Sequence, residues 1–529
     1  MSDSQPWFEN LRKPHPFIHQ TRIDLPQKDR IVNIAPFPEA WTSSTSYSSI
    51  WSSVNLFDVE LGERLVTETV DAVEWNTMIN KFKTALAVAG EQNIYIIWPF
   101  SSTRPIQIVL PEVSKPKHRL QPKAKANIAW ALSPDKPYRP LLIFTWDRQI
   151  YILDAYTGLV EGCLRGHGGE ITSIVVHPSA ANMFCTTSRD LTSRIYDLTR
   201  PPNQKPNNPH QPPLKTPSLA GPAHGLDVAD EGTGIGRCVL VLRGNRSGGH
   251  KGEVLGAAFH SALPVIATCG MDRTVKIWHI PHFSKRTEQR LLQEDKPLFS
   301  STMIHKARIL SVSWLTGDIL LTHSASSKVS PASVRATSLE SDLDSPEDEP
   351  GTCTLWKWLS SSRFFPPGWN EDIYNRQQRL RGFGSNHASN CLLMIISTFI
   401  QQFSSASFRI LANYHFPAQP SQYTIHVLSG CTRGPFLLFL YSGSRFLTLV
   451  NVSLFKPCPP QPRWWPENGK MDPVMKKHMS EEDGQLRGWN IELDDQDSGR
   501  LETCAMLAGG RLIIAGGTEG SLWFWVDKS

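Results

Sequence analysis

The sequence predicts an all-β chain folded as a seven-bladed β-propeller carrying long insertions between and within its blades. Three observations predict it. Strand-length apolar runs recur in seven similar units, while helical periodicity is scarce. Tryptophans stand beside those runs, whereas prolines cluster at 99–140, 200–222 and 456–473. The chain has 529 residues of which 40% are hydrophobic, enough to bury a large core. A lone blade leaves its faces unburied, and packing seven around an axis covers them while leaving only short edges.

The units follow in chain order. The first runs from Asp71-AVEW through TALAVAGEQNIYIIW to Trp98, and the second from Ala126-NIAW to Asp154. The third opens at Glu170-ITSIVVHP and closes at Asp197, and the fourth runs from Glu253-VLGAAFH to His279. The fifth begins Arg308-ILSVSW, is interrupted after ILLTHS, and resumes as TCTLWKW to Trp358. The sixth spans Gln422 to Val452 and the seventh Arg500 to Val526. Trp75, Trp130 and Trp314 occupy the same place in the first strands of their units. The VNLFDVEL segment within Ile50–Val70 is the candidate closing strand. The predicted organisation is thus an N-terminal extension over 1–49, disordered in part, and one propeller over 50–529, with insertions at 200–236, 324–350, 360–407 and 456–498. The first of these carries eight prolines, and the second is serine-rich and then acidic, both compositions of solvated loops.

Composition narrows the function. The net charge is 54 − 49 = +5, too small on this chain for general nucleic-acid or membrane attraction. No apolar run approaches the ~20 residues of a membrane span, and the first 25 residues lack a signal-peptide apolar region. Nine scattered cysteines with no CxxC pair disfavour a zinc site or disulfide framework and fit a reducing compartment. No GxSxG, HExxH or SxxK occurs in a suitable context, and Gly232-T-G-I-Gly236 lies in a Pro/Gly-rich insertion, which makes it a flexible loop and not a phosphate cradle. No enzyme activity and no cofactor or metal is expected.

The third and fourth units carry a WD40-type pattern. Asp190 follows His167 by 23 residues, and Asp272 follows His250 by 22, with Trp278 beyond. In such blades a histidine, a strand hydroxyl, a turn aspartate and a tryptophan form a buried hydrogen-bonded chain. This assigns His167, Asp190, His250, Asp272 and Trp278 to structure and not to catalysis. Lys115, Lys117, Arg119, Lys123 and Lys125 form a basic stretch without acids or stacking aromatics, so it offers phosphate attraction at most.

The runs at 164–198 and 248–280, the CGMDRTVKIW string at Cys269–Trp278 and ARILSVSWLTGDIL at 307–320 resemble the embryonic ectoderm development (EED) and extra sex combs family. The insertions have no counterpart there and point to a divergent, fungal-type member. The resemblance implies a non-catalytic propeller subunit of Polycomb repressive complex 2. Such a subunit holds a helix of the SET-domain methyltransferase in a groove, works with the other Polycomb subunits, and supports histone H3 lysine 27 methylation and transcriptional silencing in the nucleus. Animal members read trimethyl-lysine in an aromatic cage. Carried onto this chain, the cage positions fall on Asp71, Ala126, Tyr423 and Thr424, only one of them aromatic. The loop preceding the second position, acidic in animal members, is here the basic Lys115–Lys125 stretch, which repels a cationic tail within a Debye length of ~8 Å. The expectation is a retained scaffold without trimethyl-lysine reading. The rival readings are a WD40 adaptor of another complex, such as a ubiquitin ligase substrate receptor, and a chromatin propeller contacting nucleic acid through the basic loop, with histone as its other partner.

Overall fold

In a computed structural model of the chain, the strand-length runs pair into sheets arranged as a β-propeller, antiparallel throughout the described residues except for Leu292–Glu294, which runs parallel to Arg237–Leu242. The structure describes residues 7–42, 46–67, 70–110, 125–203, 231–244, 248–283, 291–329, 347–349, 351–366, 407–416, 423–428, 436–442, 445–455, 487–493 and 499–528. Among these, the strands form seven sheets of four or five strands and one separate two-stranded hairpin, Ser327–Val329 with Glu347–Glu349. The sheets are numbered by the chain order of their first strands: Ile31–Pro36, Asn127–Ala131, Ile171–His177, Val254–Phe259, Ile309–Trp314, Tyr423–Leu428 and Leu501–Leu507. In sheets 1, 3, 4, 5 and 7 the first strand slips register just after its first residue, for instance between Ile31 and Asn33 and between Val254 and Gly256. A bulge there sharpens the local twist of the strand.

Apolar residues bind each sheet to the next. Leu321 and Cys353 of sheet 5 pack with Val450 of sheet 6, and Leu447 and Leu449 of sheet 6 pack with Cys504 and Ile513 of sheet 7. Ile514 and Phe524 of sheet 7 meet Ile31 and Leu86 of sheet 1. Two first-strand tryptophans cross the same kind of boundary: the Trp130 indole N–H donates to Ala35 O at 2.9 Å and Trp314 to Ala258 O at 3.0 Å. Each ring buries a large apolar area while its one donor is satisfied.

Several elements differ from the sequence expectation. Residues 72–82 are a helix and not a strand. Trp75, Met78, Ile79 and Phe82 are its buried face, spaced i, i+3, i+4, i+7, and Asp71 caps it by accepting from the amides of Val73 and Glu74. The VNLFDVEL segment is likewise helical: a 3-10 turn at Val54–Leu56 leads into a helix at Val59–Thr67. We label the helices α1 (Ser46–Ile50), α2 (Val59–Thr67) and α3 (Ala72–Phe82). Sheet 7 takes its fourth strand from Phe17–Asp24, which pairs antiparallel with Ser521–Asp527, and Ile31–Pro36 opens sheet 1. The propeller therefore begins within the stretch expected to be an extension. Parts of the expected insertions also pair. Gly232–Gly234 adds an edge strand to sheet 2, and Trp489–Glu492 is the fourth strand of sheet 6. Most of each insertion lies outside the described residues.

The seven-residue pairing of the two chain ends generates a test. A chain lacking residues 1–24 is expected to lose several kcal/mol of stability, at roughly 0.5–1.5 kcal/mol per hydrogen bond plus the buried Phe17. A synthetic peptide spanning those residues is expected to raise its melting temperature again. Thermal melts with and without the peptide read both effects.

Candidate functional site

Three buried histidines organise the turn ends of sheets 3 to 5. In sheet 3, His167 Nδ1 lies 2.8 Å from Asp190 and Nε2 2.8 Å from the Thr186 hydroxyl. In sheet 4, His250 bridges Asp272 at 3.0 Å and Thr268 at 2.8 Å, and the Trp278 indole N–H donates to Thr268 at 2.8 Å. Tyr196 takes the tryptophan's place in sheet 3, stacked on Phe184 at 4.9 Å. The aspartates do more than face histidines. Asp190 accepts from the backbone of Gly168 and Thr192, and Asp272 from Lys251 and Thr274. Leu191 and Arg273, each next in sequence, adopt positive φ of 67° and 62°, so the carboxylates hold strained tight turns. Burial pushes the two carboxyl pKa values up. The adjacent histidine and the donated hydrogen bonds outweigh it and hold both carboxyls below the usual range.

The sequence reading missed a third assembly. His305 Nε2 lies 2.7 Å from the Thr322 hydroxyl, which also accepts from Trp356, and Nδ1 lies 2.9 Å from Thr352. Thr352 stands where sheets 3 and 4 have Thr192 and Thr274, whose hydroxyls also lie 3.4 and 3.0 Å from their histidines; no aspartate joins the assembly among the described residues, and the insertion in sheet 5 separates Thr352 from His305. The matching signal in the sequence was the spacing from His305 to Thr322, near that of His250 to Thr268. Every one of these histidines is engaged on both ring nitrogens, which leaves no proton-transfer site.

The proposed cage positions separate. Asp71 is exposed, and its amide donates to the Tyr138 hydroxyl in the loop after the first strand of sheet 2. Ala126 is buried just before that strand starts. A five-residue strand, roughly 16 Å long, lies between the two ends, so Asp71 and Ala126 share no cage. The equivalence for Asp71 rested on reading 73–75 as a strand, and the helix removes it. Tyr423 and Thr424 open the first strand of sheet 6, and their side chains lie outside the description. Of the basic stretch, Lys125 is exposed at the entry to sheet 2, while Lys115, Lys117, Arg119 and Lys123 lie outside the described residues.

The open feature is a cleft of about 710 Å³ at the opposite end from the histidine turns, lined among others by Asp58, Val59, Leu61, Arg200 and Phe283. The segment carrying α1, α2 and α3 builds one wall by strapping across sheets 1 to 4. Ser53 N–H donates to Ser179 O at 2.9 Å, and its hydroxyl donates to Ser261 O at 2.8 Å. Phe283 N–H donates to Phe57 O at 2.7 Å. Arg200 pairs with Asp58 at 3.3 Å and Arg64 with Asp135 at 2.8 Å. The cleft therefore combines apolar side chains with a rim of paired charges.

Buried histidines give the stability a pH dependence, and His177 and His305 show its size. Burial, with His260 nearby, pushes His177 down to about 3, and burial alone does the same to His305. Both are neutral when folded and titrate near 6.5 when unfolded, so their contribution is complete above pH ~6.5 and is lost as pH falls toward 3. Urea unfolding at pH 7 and pH 5 is expected to show a loss of about 2 kcal/mol from each. Separately, Asp272→Ala is expected to cost about 3–5 kcal/mol by leaving His250, Lys251 and Thr274 donors unpaired, read by the same unfolding curves at pH 7.

Comparison with known proteins agrees with this geometry. The family described as WD domain, G-beta repeat, matches residues 158–197 and 236–279, the spans of sheets 2 to 4 that include both aspartate-bearing triads. Polycomb group protein FIE1 of Oryza sativa subsp. japonica is 32% identical over 44% of this chain and 55% of its own length. Polycomb protein EED of Chaetomium thermophilum is 25% identical over 37% of this chain and 29% of its own length. The chain thus spans about half or less of the curated relatives it matches. A crystal structure of the Chaetomium thermophilum polycomb repressive complex 2 contains a chain that superposes with a TM-score of 0.55, covering 97% of this chain and 98% of that one at 14% identity, a likeness of fold. Taken with the histidine triads of sheets 3 and 4, these matches make the chain similar to WD40-repeat proteins and, among them, to Polycomb EED and FIE proteins.

Proposed function

We propose that the seven sheets are the blades of one closed ring, and that this ring is a non-catalytic scaffold subunit of a nuclear, Polycomb-type histone H3 lysine 27 methyltransferase complex. The likeness to Polycomb EED and FIE proteins carries the reading. A rigid ring contributes by presenting a surface, and the cleft beside α2 supplies one with apolar anchors and a charged rim. On this reading an amphipathic helix of the SET-domain subunit seats in that cleft, its apolar face against Val59, Leu61 and Phe283. The scaffold steadies the partner's active arrangement and performs no chemistry of its own.

Trimethyl-lysine reading is absent in this proposal. A cage needs several ring faces around a quaternary ammonium. Ala126 offers none, and the equivalent entry to sheet 1 holds the buried Asp29 and the partly exposed Arg30, the latter paired with Glu91 and Glu502.

Affinity purification of the tagged full chain is expected to recover a SET-domain methyltransferase. Leu61→Asp is expected to reduce that recovery at least tenfold while leaving the melting temperature within a few degrees. Recovery of a ubiquitin ligase core instead would overturn the reading. In titrations of the full chain with H3 peptides, lysine 27 trimethylation is expected to leave affinity unchanged. A methylation-dependent gain of tenfold or more would show that reading persists.

A further inference from the structure

The histidine-turn end of sheets 2 to 5 presents a run of exposed cations. Lys125, Lys251 and Arg308 stand just before the first strands of sheets 2, 4 and 5. Arg148 and Arg273 lie in the turns between the second and third strands of sheets 2 and 4. All five are exposed, and none makes an ion pair among the described residues. They belong to one continuous surface. Ile171 N–H of sheet 3 donates to Asp147 O in the sheet 2 turn at 3.0 Å. Arg189 of sheet 3 bridges Glu170 at 3.2 Å and Glu253 of sheet 4 at 3.6 Å. Arg273 Nη1 donates to Lys306 O, at the entry to sheet 5, at 3.4 Å.

The acids at this end do not balance them. Glu170 and Glu253 share Arg189, and Asp190 and Asp272 are held beside their histidines. Asp295, past the fifth strand of sheet 3, faces Arg243. Asp147 is the one exposed acid in the turns and first-strand entries of sheets 2 to 4. In sheet 5 the hairpin strand Glu347–Glu349 is acidic, so the cationic surface is centred on sheets 2 to 4, with Arg308 at its margin. Charges of one sign gathered on a rigid frame raise the local potential and draw the opposite sign, even on a chain whose net charge is only +5.

We propose that this face docks on the phosphate backbone of double-stranded DNA, through charge and without reading sequence. Packed sheets lie about 10 Å apart, so cations on sheets 2 to 5 extend over roughly 30 Å, a span that suits a polyanion and not a small molecule. The exposed large hydrophobic residues at this end of those sheets are Met271 and Met303, neither of them aromatic. Unpaired bases therefore find no exposed stacking platform, which favours a duplex over a single strand. The two methionines would suit an acidic peptide, but they belong to the side of sheets 4 and 5, and only a longer polyanion engages Lys125 and Arg148 together with Arg273. The choice of DNA over duplex RNA rests on the chromatin reading proposed above. The cleft beside α2 lies at the other end, so a protein partner and a duplex would bind without competing.

The test is fluorescence anisotropy of the full-length chain with a labelled DNA duplex of arbitrary sequence, titrated at several salt concentrations. Five phosphate contacts are expected to give a slope of log affinity against log salt of about −4 to −5, at roughly 0.9 per contact. Combining Arg148→Glu, Lys251→Glu and Arg273→Glu is expected to weaken binding at least tenfold and to reduce that slope by about 3. The combination leaves Lys115, Lys117, Arg119 and Lys123 in place, so its effect is separate from theirs. Should it fail to fold, Lys251→Gln alone is expected to reduce the slope by about 1. No binding at low salt overturns the proposal, as does a slope the variants leave unchanged. So does tighter binding of an RNA duplex of the same length, or displacement of the DNA by a lower concentration of poly-glutamate, which would mark an acidic protein partner. The assay needs no methyltransferase, so its failure and a failure to recover that subunit are read separately.

Discussion

The pairing of Phe17–Asp24 with Ser521–Asp527 is the constraint on which the rest depends. A ring of sheets has no unburied face only when its last member meets its first, and sheet 7 reaches four strands only with the N-terminal one. The join is reinforced on both sides. Leu25 N–H donates to Gly520 O at 2.8 Å, and Gly520 sits at φ +73° so close to the backbone of Lys28 and Asp29 that a Cβ would come within 2.7 Å of it. Buried Asp29 then accepts from Gln92 N, Asn93 N, the Asn93 side chain and the Tyr95 hydroxyl, locking the start of sheet 1 to its third strand. Because closure already links residues some 500 apart, lengthening the loops between blades adds little further entropy cost, which grows only logarithmically with length. The long proline-rich and acidic stretches are tolerated for this reason.

How much of this was legible in the sequence depended on the range over which each signal acts. The two aspartate-bearing triads were legible because histidine and aspartate sit 22 or 23 residues apart within uninterrupted blades. The closing strand was not. Phe17–Asp24 is an edge strand with only Phe17 fully buried, so its sequence carries almost none of the apolar alternation that marks a strand. The helix α3 was legible in principle, since its four buried residues keep helical spacing, but short windows of VEW and TALAV read equally well as strand. The third triad was hidden twice over, by an insertion and by having a threonine but no aspartate beside its histidine among the described residues. The cleft was invisible because its walls come from separate segments spread over more than two hundred residues of chain.

The strap carrying α1 to α3 and the cleft it borders are parts of one device. A propeller's strand turns at one end expose backbone groups that need partners. Ser53 satisfies two of them at once, at Ser179 and Ser261, and Phe57 adds a ring 5.2 Å from His177. That contact seals His177 between Phe57 and Phe259 and keeps it neutral. The strap thus fixes the positions of four sheets relative to one another, and the surface left beside α2 is rigid because its floor and its wall are bonded together. A preformed surface loses less conformational entropy on binding than one that must order itself.

The three triads also show what the turn aspartate is for. His305 is as buried as His167 and His250 and stays neutral with only hydroxyl partners, so a buried histidine in this fold does not require a carboxylate. What distinguishes sheets 3 and 4 is the turn between their second and third strands, where Leu191 and Arg273 adopt positive φ and the preceding aspartate gathers the surrounding amides. In sheet 5 that connection is not a tight turn: the strand ends at Ser324, a hairpin intervenes, and the next strand starts at Thr352. With no strained turn to hold, the carboxylate has no amides to gather, and a threonine that bonds His305 and the Ser324 hydroxyl is sufficient. The aspartate's role is therefore to stitch the turn, the histidine's is to tie that turn to the strand beneath it, and the insertion removed the need for one while leaving the other intact.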